Sequence, residues 1–152
     1  MKRIGFLFAA MLGIALCAAP AVAQSVTGAG AGVFSGGATL NGIPLSGLEL
    51  GKGVIIAYDG TAKGQFHALL LGTSLLGQPQ HIVVEGEVSN GFVNADGSTS
   101  FSGSAKVNMG DATPPLLGLP FSVTATTGGV LLTIGTTTLP AATLLEGSIT
   151  IE

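Results

Sequence analysis

The chain has one cysteine, Cys17, no tryptophan and one tyrosine. A single thiol cannot close an internal disulfide, and thiolate zinc and iron–sulfur sites need several. Aromatic residues make up 5% of the 152 positions, too few for the two aromatic girdles of an outer-membrane barrel. Charge is also scarce. Charged residues are 9% of the chain, against about 25% in ordinary soluble domains. The only cations after residue 23 are Lys52, Lys63 and Lys106. No basic patch can form from three scattered lysines, so neither nucleic acid nor an anionic lipid surface is an expected partner. No G-x-S-x-G elbow and no D-x-D-x-D-G calcium loop occurs.

The first residues have the order of a secretory signal. Lys2 and Arg3 precede an uncharged apolar run from Ile4 to Leu16, and Pro20 and Ala21-Val22-Ala23 supply a small-x-small cleavage site. The run is shorter than the about 20 apolar residues that span a bilayer. Residues 1–23 are expected to form a signal helix cut before Gln24, which places the product in the periplasm, at the cell surface or outside. Cleavage removes Cys17 and leaves no transmembrane segment. Residues 24–152 then form one domain of 129 residues, with eight acids against three lysines and a net charge near −5. A chain of that length buries about two thirds of its unfolded surface.

Helix signals are poor, because Gly or Pro interrupts almost every window of ten, at about 1–3 kcal/mol each in a helix interior. Strand signals are good. β-branched runs lie between Gly, Asn, Asp and Pro over 26–34, 38–50, 54–58, 63–71, 81–89, 98–108, 120–126, 130–134 and 145–151. Asn41-Gly42, Asp59-Gly60 and Asn90-Gly91 are turn signals, and Phe92-Val93 with a second turn at Asp96-Gly97 leaves a longer connection open after Asn90-Gly91. Ile82, Val84, Gly86 and Val88 alternate with Glu85 and Glu87. Phe101, Gly103, Ala105 and Val107 alternate with Ser100, Ser102, Ser104 and Lys106. Phe121, Val123 and Ala125 are expected inward, as are Leu145, Gly147, Ile149 and Ile151, and Leu139–Ala142 reads as a break with one short helical turn. The pattern predicts an all-β fold, an antiparallel barrel or two-sheet sandwich of about eight to ten short strands. Glycine at inward positions favours the barrel.

Lys63-Gly64-Gln65-Phe66, Val84-Glu85-Gly86-Glu87-Val88, Phe101-Ser102-Gly103-Ser104-Ala105, Pro120-Phe121-Ser122-Val123-Thr124 and Glu146-Gly147-Ser148-Ile149-Thr150-Ile151 together resemble a family of secreted bacterial Gly-rich β domains. The resemblance implies an exported all-β fold and no established activity. It departs at Thr127-Gly128-Gly129, where such domains carry an acidic turn.

Three functional readings follow from the residues. Leucines occur where water is expected, at 69–71, 75–76, 116–119, 131–132 and 144–145. They suit burial against a second copy or another exported protein, and the Gly-rich first strand suits strand exchange. They also suit a barrel that holds a small apolar ligand, with Leu69, Leu71, Leu117, Leu119 and Leu132 as its lining, and a large core with long covered loops accounts for them as well as association does. The third reading is a hydrolase or metal enzyme built on His67, His81 and Glu85, since two imidazoles and a carboxylate on neighbouring strands are zinc-type donors. A solvated row of outward strand residues accounts for the same three. Glu85 and Glu87 sit roughly 7 Å apart on one strand face, as paired glycosidase acids might be spaced. Asn94, Asp96 and Asp111 are turn residues with weak cation-binding character. No cofactor is called for.

Overall fold

The computed structural model of the chain describes residues 23–152, so the expected leader lies outside the described residues except for Ala23. Nine strands follow one another: β1 (Gln24–Leu40), β2 (Ile43–Ile56), β3 (Thr61–Gly72), β4 (Ile82–Val93), β5 (Thr99–Asn108), β6 (Leu116–Thr126), β7 (Gly129–Ile134), β8 (Thr137–Thr138) and β9 (Ala142–Ile151). All pairings are antiparallel. β1 through β7 pair in sequence, β9 pairs with both β7 and β1, and the two-residue β8 adds to the edge of β7. The ring therefore closes as an eight-stranded barrel, and the sandwich alternative does not apply. Among the described residues no helix is long and apolar enough to cross a membrane.

The side-chain period of two decides which way the wall faces. Inward positions carry Val26, Leu48, Leu50, Val54, Phe66, Leu70, Ile82, Val84, Phe101, Val107, Val123 and Leu132, all buried in one continuous cluster. Outward positions carry Gln65, His67, Glu85, Glu87, Ser104 and Lys106. This is the inverse of a membrane barrel, whose apolar band faces out. Phe66 stands at the centre, 5.7 Å from the Phe121 ring and 6.0 Å from the Phe101 ring. Such aromatic pairs add about 0.5–1.5 kcal/mol beyond area burial. Gly86 makes room for them. It is the register partner of Phe66, and a Cβ on it would lie 2.7 Å from the Phe121 ring.

The turns obey their residues. Asn41 (φ 49°) and Gly42 (φ 81°) make the two-residue β1–β2 hairpin that this pair favours. Asp59, Asp96 and Asp111 each accept from the backbone N–H and the hydroxyl of the residue two positions on, namely Thr61, Ser98 and Thr113. The turns at 57–60, 94–98 and 127–128 lie with Gln24 and Glu152 at one end, called the lower end here. The connections at 41–42, 73–81, 109–115 and 135–141 form the upper end.

Four expectations about local structure change. The β4–β5 turn falls at 94–98, as the longer-connection alternative has it, and not at Asn90-Gly91. β4 runs on to Val93 because Ser89 is a bulge residue, and the shift turns Gly91 inward, where a Cβ would lie 2.9 Å from the Ile56 side chain. Leu139–Ala142 contains no helical turn: the Leu139 N–H continues the ladder onto Leu132 O at 2.9 Å, and Pro140, lacking an N–H, interrupts it. In β9 the expected inward phase holds at Ile149 and Ile151 and shifts by one only before the bulge. Ala31 faces Glu146 and Gly32 faces Leu144, so Leu145 has no partner in β1 and points out. Gly147 is then an exposed residue at φ 85°, not an inward one, while Leu144 and Ile149 pack on the core.

Candidate functional site

The outer face of β3, β4 and β5 carries the polar row that the sequence singles out. His67 is the register partner of Glu85, and Glu85 of Lys106. Lys106 Nζ donates to Glu85 Oε2 at 2.9 Å, with both side chains half exposed. That hydrogen bond and the lysine's charge hold the Glu85 carboxyl below the usual range, and the nearby His67 adds a smaller effect in the same direction. Gln65, Glu87 and Ser104 flank the row and complete an open groove of about 420 Å³. Glu85 and Glu87 share this outward face, but Glu85 is already committed to Lys106. They do not form a pair of acids facing each other across a cleft.

His81 is not part of this row. It precedes β4, four residues from Glu85, about 13 Å at the rise of a strand. The structure thus joins His67 with Glu85 and leaves His81 at the upper end. Among the described residues no group of three His, Cys, Asp or Glu is placed to hold a metal ion. The turn residues are separated in the same way. Asn94 donates to the hydroxyls of Ser98 and Ser100 and lies with Asp96 at the lower end, while Asp111 is at the upper end. The hydroxyl and N–H bonds that each turn acid accepts push its carboxyl below the usual range.

The five leucines of the apolar-ligand reading do not converge. Leu132 is 1% exposed and belongs to the packed interior. Leu69 and Leu71 are half-buried on the outer face of β3, between inward Ala68, Leu70 and Gly72. Leu119 packs partly against the core, and Leu117 is 75% exposed. The wall itself separates them, because neighbouring strand residues point to opposite sides.

Lys52 was missed. Its signal lies in the alternation Leu48, Leu50, Lys52, Val54, Ile56, in which the lysine takes an inward place. Its residue is 9% exposed, and its Nζ has no hydrogen-bond partner. The Nζ lies 5.5 Å from the centre of the Phe101 ring. Burial pushes the ammonium from its ordinary 10.5 down to about 8.

Two surfaces are apolar where water is expected. At the upper end Leu75 and Leu76, 92% and 87% exposed, cap the β3–β4 connection, and the exposed Leu116 and Leu117 open β6. Gln80 Nε2 donates to Met109 O at 3.0 Å and ties these two connections together. At the lower end Tyr58, Phe92 and Val93 are exposed around a groove of about 280 Å³ that also includes Gln24, Ile56 and Gly91. Comparison of the chain with protein-family models, with characterised proteins and with solved structures gives no match.

Proposed function

We propose that this chain is an exported, non-enzymatic β-barrel that works by protein association in the periplasm or at the cell surface, with a second copy of itself as the partner. The observation that carries the reading is the leucine rim of the upper end. Leu75 and Leu76 on the β3–β4 connection and Leu116 and Leu117 at the start of β6 leave four large apolar side chains exposed toward one end of the barrel, and a domain in water gains by covering such surface. The rim has little charge to select a different partner. Its one carboxylate, Asp111, is already bonded to Thr113. Export is supported by the N-terminal charge-apolar-small order and by the resemblance to secreted Gly-rich β domains.

Strand exchange through β1 has less support than rim contact. β1 is hydrogen-bonded on both sides, to β2 and to β9, over most of its length, so releasing it would open the barrel. Light scattering of the purified protein across a hundredfold concentration range tests the proposal. The mass is expected to rise toward a dimer or larger assembly, and the double variant Leu75→Ser, Leu76→Ser is expected to remain monomeric with an unchanged melting temperature. A wild-type protein that stays monomeric at the highest concentration refutes self-association.

A further inference from the structure

Lys52 is the one charged side chain buried among the described residues. The acids do not follow it inside. Glu49, Asp59, Glu85, Glu87, Asp96, Asp111, Glu146 and Glu152 are all exposed. An ammonium held in an apolar interior without a counter-charge is costly, and the described residues supply no anion to offset it. Two more buried side-chain atoms lack a partner, Thr99 Oγ1 and Gln24 Oε1. With Lys52 Nζ they are the whole set of such atoms among the described residues. Their placement is not scattered. Thr99 stands two residues before Phe101 on the same face of β5, Gln24 stands two before inward Val26 on β1, and both lie toward the lower end.

The lower groove reaches the same place from outside. Gln24 and Gly91 are part of its lining, and Gly91 is the register partner of Phe101, the ring beside Lys52 Nζ. Gly91 thus links the lining of the groove to the strand position of the ring beside the ammonium. Its rim is apolar, with Tyr58, Phe92 and Val93 exposed.

We propose that the lower end of the barrel binds an amphipathic monocarboxylate, with its tail against Tyr58, Phe92 and Val93 and its carboxylate drawn inward to the Lys52 ammonium and the Thr99 hydroxyl. A single negative charge matches a single ammonium, whereas a dianion would leave excess charge buried. The Thr99 hydroxyl turns to donate, and rotation of the Gln24 amide brings its NH₂ in place of Oε1. The site uses the end of the barrel opposite the leucine rim, so it stands or falls independently of self-association.

Octanoate is the probe, with octanol and acetate as controls, followed by nuclear magnetic resonance of the Lys52 side chain in the purified protein. Octanoate is expected to raise the pH at which Lys52 titrates by at least about one unit, because a bound anion favours the charged form. It is also expected to bind at least about tenfold more tightly than octanol. Lys52→Met fills the same space with an uncharged chain and is expected to lose that preference. Phe92→Ser, at an exposed position, is expected to weaken octanoate while leaving the Lys52 titration of the free protein unchanged. Octanol binding as tightly as octanoate, an unmoved Lys52 titration, or a preference retained in Lys52→Met would overturn the site. An equal response to acetate would overturn its amphipathic character.

Discussion

Replacing Lys52 by methionine should stabilise the free protein, and the size of the gain should depend on pH in a defined direction. The unfolded chain keeps the lysine protonated up to its ordinary 10.5, while burial in the folded barrel pushes it down to about 8. Below pH 8 both states carry the proton, and the folded state bears the full cost of a buried, unpaired ammonium. Between pH 8 and 10.5 the folded state has released the proton and the unfolded state has not, so stability rises with pH across that window. At about 1.4 kcal/mol per pH unit the cost near neutrality is about 3 kcal/mol. The Phe101 contact, lost in the variant, offsets about 1 kcal/mol of it. Methionine has nearly the volume of the lysine stem, so no cavity adds to the balance. Lys52→Met should therefore be more stable by about 2 kcal/mol at pH 7, which is roughly 8 °C in melting temperature for a domain of this size. The measurement is urea unfolding of both proteins at pH 7 and at pH 10.5. The gain should be largest at pH 7 and mostly gone at pH 10.5. A variant less stable than wild type at pH 7, or a difference that does not change with pH, would refute the placement of a charged lysine in the interior.

Gly86→Val should cost about 1–3 kcal/mol, read as a lower urea midpoint, because its Cβ meets the Phe121 ring at 2.7 Å; adding Phe121→Leu should recover part of the loss. The three turn acids have folded pKa values lowered by their Thr and Ser partners, so their stabilisation is fully present above the unfolded value near 4 and is lost as pH falls through the lower folded values. Thermal scans should therefore be flat in pH from 7 to 5 on this account and fall below 4, with the fall reduced in the triple variant Asp59→Asn, Asp96→Asn, Asp111→Asn. The ring is closed between β7 and β9 by only two residue pairs, Gly129 with Thr143 and Val130 with Ala142. Hydrogen exchange should show the amides of this seam opening before those of β3 and β4, and equal protection all round the ring would contradict the seam.

Where sequence and structure agree, a strand has a clean period of two and no bulge over the stretch read. Ile82 to Val88, Phe101 to Val107 and Phe121 to Ala125 point inward as their alternation predicts, and Asn41-Gly42 turns as its residue types require. The failures at Asn90-Gly91 and in β9 share a cause. A bulge adds one residue to one strand and reverses the faces beyond it, and nothing local in the sequence marks where it occurs. Leu145 alternates correctly with Ile149 on paper, but the pairing with β1 skips it. Closure into a barrel was open for a related reason, since it depends on β9 meeting both β1 and β7, a non-local pairing. Of the candidate site residues, His67 and Glu85 are neighbours because two regular strands carry them in register. His81 falls outside because β4 begins only after it. Lys52 was legible in principle, but a lysine between glycines reads as surface unless the apolar positions on either side are counted in twos.

Two of the exposed leucines, Leu117 and Leu145, owe their place to bulges. Lys106 of β5 faces two residues of β6, Leu117 and Gly118, where a regular ladder would place one. Gly118 takes φ 68° and Leu117 is expelled to the outer surface. Leu145 is expelled in the same way opposite Ala31 and Gly32. Restoring the count should therefore separate a folding role from an interaction role. Deleting Leu117 would return β6 to simple pairing with β5, with Gly118 opposite Lys106 and Leu116 still opposite Val107. Replacing it with serine keeps the bulge and removes only the apolar surface. If the exposed leucines serve association, Leu117→Ser should leave the urea midpoint where it is and lower the dimer fraction at a fixed concentration. If they are only a by-product of the bulge, neither quantity should move. A fall in the urea midpoint of the monomer would place Leu117 in the fold instead of on its working surface.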